Sequence, residues 1–321
     1  MKTINKIWPI VAALLTVLGA LIFTLALSLQ RWDIKKLSND KLVENTREIN
    51  DNFENLSINI NTADIKFLPS ETQNTQIICK EYEKEIHTIE VTDNTLKICV
   101  NDQRHWTDYI SFFSFETPKI MVYLPKEEYL SLKIDTDTGD VEIPKNFNFM
   151  DINIKGSTAD VKCLASAEKG IKIALSTGDI FLSEIDAENL DLAVSTGDII
   201  AQSINCSGNI AAKVTTGKTN FKNVTCKNLV SEGDTGDMSL KDVLAEGKFD
   251  IVRDTGDIKL TDCDAAEIKI ETDTGDIRGT LKTPKIFLTA TNTGRVDIPE
   301  SIEGGKCKLT TDTGDIKIMI K

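Results

Sequence analysis

The sequence predicts an all-β protein, a parallel β-solenoid (β-helix) of about ten coils of 19–20 residues, preceded by a small β cap and one N-terminal transmembrane helix. Three observations predict it: a turn motif at near-constant spacing, apolar alternation on both sides of that turn, and a long uncharged stretch ahead of the repeats. The expected organisation is a cytoplasmic N-terminus at residues 1–6, a transmembrane helix at 7–29, a juxtamembrane stalk at 30–52, a β cap at 53–125 and the repeat domain at 126–321.

The repeat is the tripeptide Thr-Gly-Asp and its variants. Its central residue falls at Gly139, Ala159, Gly178, Gly197, Gly217, Gly236, Gly256, Gly275, Gly294 and Gly314, always 19 or 20 residues apart. Seven positions before it stand Leu132, Ile152, Ile171, Leu190, Ile210, Leu229, Phe249, Ile268, Phe287 and Cys307. Two positions after it stand Val141, Val161, Ile180, Ile199, Thr219, Met238, Ile258, Ile277, Val296 and Ile316. The columns five before and four after are mostly apolar too, with Ser231 and Gly279 among the departures. Alternation on both sides of a turn means two short strands per repeat with one buried face. Such a unit cannot bury that face alone; stacking equivalent strands in parallel, ~4.8 Å apart, fills a continuous core.

Ahead of the repeats, Ile58–Phe67 reads as an eleventh, degenerate coil. Ile77–Cys79, Ile86–Val91, Leu96–Val100 and Ile120–Leu124 read as cap strands, antiparallel, with Thr92-Asp93-Asn94-Thr95 as a hairpin turn. The last strand, Ile316–Lys321, is expected to leave an unpaired edge, a place for homo-oligomer formation or partner docking.

Ile7–Leu29 holds no charge over 23 residues, and about 20 suffice to cross a bilayer as a helix. Trp8 and Trp32 flank it, as interfacial rings do. Ala26-Leu27-Ser28 offers a cleavage-like site, but signal-peptide apolar regions run ~7–15 residues, so a retained anchor is expected. Lys2 and Lys6 precede the span and Arg31, Lys35 and Lys36 follow it, so the basic residues are nearly balanced. A single short N-terminal span with leading lysines favours a cell-membrane protein whose C-terminal domain is extracellular.

Residues 1–36 carry five basic side chains and one acid; the remainder carries 32 basic and 49 acidic groups. So acidic a domain excludes nucleic acid as a partner. Seven cysteines, an odd number without C-x-x-C, rule out a complete disulfide framework. His87 and His105 show no metal-ligand spacing, and no hydrolase or nucleotide-binding motif is present.

The chemical candidates are therefore few. Asp-Thr-Gly occurs at Asp137, Asp234, Asp254, Asp273 and Asp312, but Ser157, Ser176, Ser195, Thr215 and Asn292 share the column. These residue types share a short side-chain oxygen, which points to turn capping over aspartic-protease chemistry. Asp140, Asp160, Asp179, Asp198, Asp237, Asp257, Asp276 and Asp315 form a second column. Asp234, Asp237, Asp254, Asp257, Asp273 and Asp276 make the densest acidic face, where Ca²⁺ would be the cation to expect. Trp106, Tyr109, Phe112, Phe113 and Phe115 form an aromatic patch in the cap, suited to a partner, the membrane interface or plugging the solenoid's end. Cys206 and Cys226 share a place in successive coils, as stacked thiols or a disulfide.

The serial S/D-T-G-D-I turns, the segment I-M-V-Y-L-P-K-E-E-Y-L-S-L-K-I and the single N-terminal helix resemble a bacterial family of unknown function, adhesin-like proteins of β-strand repeats. The resemblance covers about residues 50–321 and implies a cell-surface solenoid with no catalytic residues. The function expected is that of a non-catalytic, membrane-anchored envelope binding or scaffold protein, its partner an envelope protein or a glycan. The alternative is an accessory or sensing component of an envelope-stress response. A glycan-active β-helix enzyme is the third reading; it needs two carboxylates ~5–10 Å apart beside sugar-stacking aromatics. From residue 131 onward the aromatics are six phenylalanines alone, which favours a protein partner.

Overall fold

The structure, a computed structural model, describes residues 4–29, 31–32, 42–102 and 117–321. The apolar stretch is one helix, Ile4–Leu29, whose segment Trp8–Leu29 is long and apolar enough to cross a membrane and packs against almost nothing. From Asn55 onward the chain winds into the predicted parallel β-solenoid.

One coil shows the design. The arm Asn209–Thr216 runs to the Gly217 corner, and the arm Thr219–Cys226 follows it. Ile210, Ala212 and Val214 point inward from the first arm; Phe221, Val224 and Cys226 do so from the second. Equivalent residues stack coil on coil: Ile210 pairs with Leu190 below and Leu229 above. The turn threonines form their own ladder, Thr196 to Thr216 to Thr235.

Glycine is required where the turn takes a positive φ, as it does at nine of the ten turns, Ala159 being the exception. Gly256 has φ +150°, and a Cβ there would overlap the Gly236 carbonyl oxygen of the coil beneath. Simple alternation did not predict the second corner. Glu184, Ser203, Asn223, Asp242 and Asp262 lie six residues past successive turn glycines, all with φ between 53° and 57°. This left-handed residue interrupts the alternation, so each second arm bends and the coil gains a third buried side. Asn and Asp tolerate that conformation better than other non-glycine residues, and they fill the column at 223, 242 and 262.

At the N-terminal end, Asn55–Thr62 and Asp64–Pro69 form the degenerate coil, stacked in parallel beneath Glu128–Thr138 and Val141–Ile143. Thr95–Asp102 and Lys119–Leu124 add one more level in parallel and also accept the cap in antiparallel fashion. The hairpin turn is as expected, with Asp93 and Asn94 both left-handed, the pattern of a type I′ turn. The stretch read as stalk contributes a strand of its own, Leu42–Ile49, paired antiparallel with Thr75–Tyr82.

The C-terminal end corrects an expectation. Ile316–Ile320 is no free edge: it lies between Ile277–Leu281 and Val296–Asp297, with Ile318 2% exposed. Likewise Gly305–Thr313 sits between the arm ending at Thr274 and Lys285–Thr293. The last two coils are thus exchanged in space relative to their order in sequence. The chain skips a level after Leu281 and later returns into the gap. Two local features fit this path. Lys285 Nζ, nearly buried, pairs with Asp264 Oδ1 at 2.6 Å and holds the outer coil's first residue in place. Gly304 and Gly305 carry the returning chain past Pro284 and Ala266, whose carbonyl oxygens any Cβ would overlap. The open edge is therefore Lys285–Thr293, with Ile286 43% and Leu288 49% exposed.

Candidate functional site

The aspartate column after the turn glycine is consumed by the stack itself. Asp160 N–H donates to Asp140 Oδ1 at 3.0 Å, Asp179 N–H to Asp160 Oδ1 at 2.8 Å, and Asp198 N–H to Asp179 Oδ1 at 2.7 Å. The pattern resumes as Asp257 N–H to Asp237 Oδ1 at 3.0 Å and Asp276 N–H to Asp257 Oδ1 at 2.9 Å. It follows the exchanged coils faithfully: Asp315 N–H donates to Asp276 Oδ1, and Arg295 N–H to Asp315 Oδ1. Each carboxylate thus caps an amide of the next level, a charge-assisted bond worth about 1.5–3 kcal/mol when well formed. Asp234, Asp254 and Asp273, at the other end of the motif, are exposed. Nowhere on this face do three acidic or other ligand groups converge among the described residues.

Beside this column runs a groove of about 630 Å³. One rim is the turn column, with Lys218, Asp237, Asp257 and Asp276; the floor carries Asn220, Ser239, Lys259, Arg278 and Lys317; Thr261, Thr280 and Met319 close the far side. The exchanged C-terminal strand completes it, which the sequence order of the coils did not reveal. Arg278 pairs with Asp276 and lies 3.8 Å from Asp315 Oδ2. The floor carries three cations, and the rim three aspartates beside Lys218; the volume lies in the ligand-site range of ~300–1,000 Å³. Asp237, Asp257 and Asp276 of the predicted acidic face thus reappear as a groove rim.

Other candidates fall elsewhere. Trp106, Tyr109, Phe112, Phe113 and Phe115 lie outside the described residues. Cys206 and Cys226 are buried free thiols; burial, with Cys206 next, pushes the Cys226 thiol up to about 12. Arg253 is 2% exposed in the solenoid core, its guanidinium donating to Thr219 Oγ1 at 2.9 Å and Ser231 Oγ at 3.0 Å. That explains why two polar residues interrupt apolar columns.

One cluster was not singled out by residue spacing in the sequence. Cys79, Glu81 and His87 are all buried in the cap, with one donor atom from each within 4.8 Å of the others. Cys79 and Glu81 are two apart on the inward face of Thr75–Tyr82, and His87 projects from the inward face of Glu85–Thr92. Glu81 Oε2 accepts from His87 N–H at 2.7 Å and lies 2.6 Å from His87 Nδ1, while Asn45 Nδ2 donates to Glu81 Oε1 at 2.5 Å. Burial, reinforced by the Glu81 charge, pushes the Cys79 thiol up to about 12. The signal was the i, i+2 spacing of Cys79 and Glu81, legible only once a partner strand is placed.

No curated protein matches this chain. Among solved structures, a Parabacteroides distasonis ATCC 8503 protein provisionally named as lipid-binding is 16% identical, with a TM-score of 0.48 over 86% of this chain and 96% of that one. A provisionally named adhesin from the same strain is 11% identical, with a TM-score of 0.49 over 87% and 98%. A further provisional adhesin, from Bacteroides fragilis NCTC 9343, is 15% identical, with a TM-score of 0.38 over 86% and 97%. Scores below 0.5 at such identities say nothing of shared function. The family model described as Toastrack DUF4097 matches residues 53–217 and again 205–321, in agreement with the resemblance read from the turns, and the chain belongs to that family.

Proposed function

We propose that this chain is a non-catalytic envelope binding protein, tethered by its N-terminal helix and presenting the acidic solenoid outside the cell to a protein partner. The observation that carries the reading is the mixed-charge groove over Lys259, Arg278 and Lys317, rimmed by aspartates already committed to the stack. An extended polypeptide segment, with alternating charges to meet floor and rim, fits such a groove. A glycan would want stacking aromatics, and the groove lining contains none.

The helix supports the tether. Its 22-residue segment Trp8–Leu29 is apolar and open to its surroundings; at 1.5 Å per residue it spans ~33 Å, against a hydrocarbon core of ~30 Å. Orientation is testable with the chain's own chemistry, because Cys99 is exposed while Cys79, Cys163, Cys206, Cys226, Cys263 and Cys307 are buried. A membrane-impermeant maleimide added to intact cells is expected to label the wild type and not Cys99→Ser. Labelling that requires lysis would place the solenoid inside and overturn the envelope reading.

A further inference from the structure

We propose that Cys79, Glu81 and His87 form a binding site for one divalent ion of the zinc class. Thiolate, imidazole and carboxylate together are a donor set that zinc favours, with bonds of about 2.3, 2.0–2.1 and 2.0–2.2 Å. The three donor atoms already lie within 4.8 Å of one another, so a small inward adjustment brings all three onto a single ion.

The surroundings favour a site over a packing accident. The inward faces of these two strands lead into the apolar core: Ile77 is buried beside Cys79, Ile89 and Val91 pack against the core from His87's own strand, and Thr75 and Glu85 are the other buried polar residues there. Burying a thiol, a carboxylate and an imidazole together there costs free energy that apolar residues would not. The carboxylate is also held from outside the triad. Asn45 Nδ2 reaches Glu81 Oε1 from the Leu42–Ile49 strand, and His87 N–H reaches Oε2. Metal-binding carboxylates are commonly fixed by such outer contacts.

Protons balance simply. Binding M²⁺ as thiolate releases the Cys79 proton to solvent, and the metal takes its place.

The test uses the full chain in detergent micelles, titrated with Co²⁺ and then Zn²⁺. One equivalent of Co²⁺ is expected to give thiolate-to-cobalt charge-transfer absorption in the near ultraviolet, which Zn²⁺ bleaches. Cys79→Ser is expected to abolish that absorption, His87→Gln to weaken binding at least tenfold, and Asn45→Ala to weaken it roughly 10–100-fold through loss of positioning. Cys99→Ser should change nothing. Should Cys79→Ser fail to fold, alkylation mapping of the wild type replaces it: Zn²⁺ is expected to protect Cys79 selectively under mild denaturant. No thiolate absorption in the wild type, absorption that survives Cys79→Ser, or absence of Zn²⁺ protection at Cys79 would overturn the proposal.

Discussion

Arg253 makes the sharpest test of how this solenoid is held together. Among the described residues its buried guanidinium has no carboxylate partner; it donates to Thr219 Oγ1, Ser231 Oγ, the Val252 carbonyl at 3.3 Å and Met238 Sδ at 3.6 Å. Desolvation alone pushes its pKa down to about 10. Against an ordinary arginine, at about 1.4 kcal/mol per decade, the buried cation costs about 3 kcal/mol. Replacing Arg253 by Met removes that cost but leaves two buried hydroxyls unpartnered, at about 1–3 kcal/mol each, so the single variant should be neutral or destabilised. The triple variant Arg253→Met, Thr219→Val, Ser231→Ala removes both penalties and is expected to be more stable than wild type by about 1–3 kcal/mol. In thermal unfolding followed by circular dichroism, that is a rise of roughly 2–4 °C per kcal/mol. The pH dependence has a defined sign. The folded state binds the Arg253 proton less tightly than the unfolded state, so the penalty is in full force below pH 10 and relaxes as pH rises through about 10. The triple variant's advantage should narrow there. A triple variant less stable than wild type would refute the claim that the guanidinium is an uncompensated charge.

Other outcomes follow from the same geometry. Lys218 interrupts the aspartate column, and Asp237 N–H lacks the bond its neighbours enjoy; Lys218→Asn should restore an acceptor and add about 0.5–1.5 kcal/mol in denaturant melts. Gly256→Ala should destabilise by several kcal/mol, because its Cβ meets the Gly236 carbonyl at a φ that alanine avoids. Ile318→Asp should disrupt the final coils, whereas Leu288→Asp on the open edge should leave the melting curve nearly unchanged; equal effects would contradict the exchanged coils. Lysine partners lower the pKa values of Glu142 (Lys66, then Lys162), Asp250 (Lys248, Lys269) and Glu271 (Lys308, Lys269). Their stabilisation is present above the ordinary carboxylate range and is lost as pH falls through the lowered values. Because these groups are partly exposed, the loss is modest and should shrink further in high salt.

Most of the solenoid was legible because its physics is local and periodic. A turn that glycine fills in nine of ten repeats and a period-two apolar pattern specify the coil wherever they occur, and Ile58–Phe67 was recognisable as a coil even without the glycine. Four features escaped. The bend at Asn223, Asp242 and Asp262 uses polar residues that read equally well as ordinary surface. The exchange of the last two coils depends on which strand neighbours which, and a parallel stack of near-identical repeats offers no local mark of order beyond Gly304-Gly305 and Lys285. The groove is completed by Lys317 and Met319 only because of that exchange. The Cys79–Glu81–His87 cluster likewise needs an antiparallel partner strand, and with it Asn45 from a stretch too polar to read as strand.

The groove is where the functional account stands or falls. A photo-cross-linking residue placed at position 259, on the groove floor of the full-length chain in its own membrane, tests it directly. The account predicts one dominant adduct with an envelope protein, lost when Arg278→Glu reverses the floor's charge and retained when Leu130→Glu alters a distant exposed site. Adducts confined to wall polymer, or a protein adduct indifferent to Arg278→Glu, would contradict it.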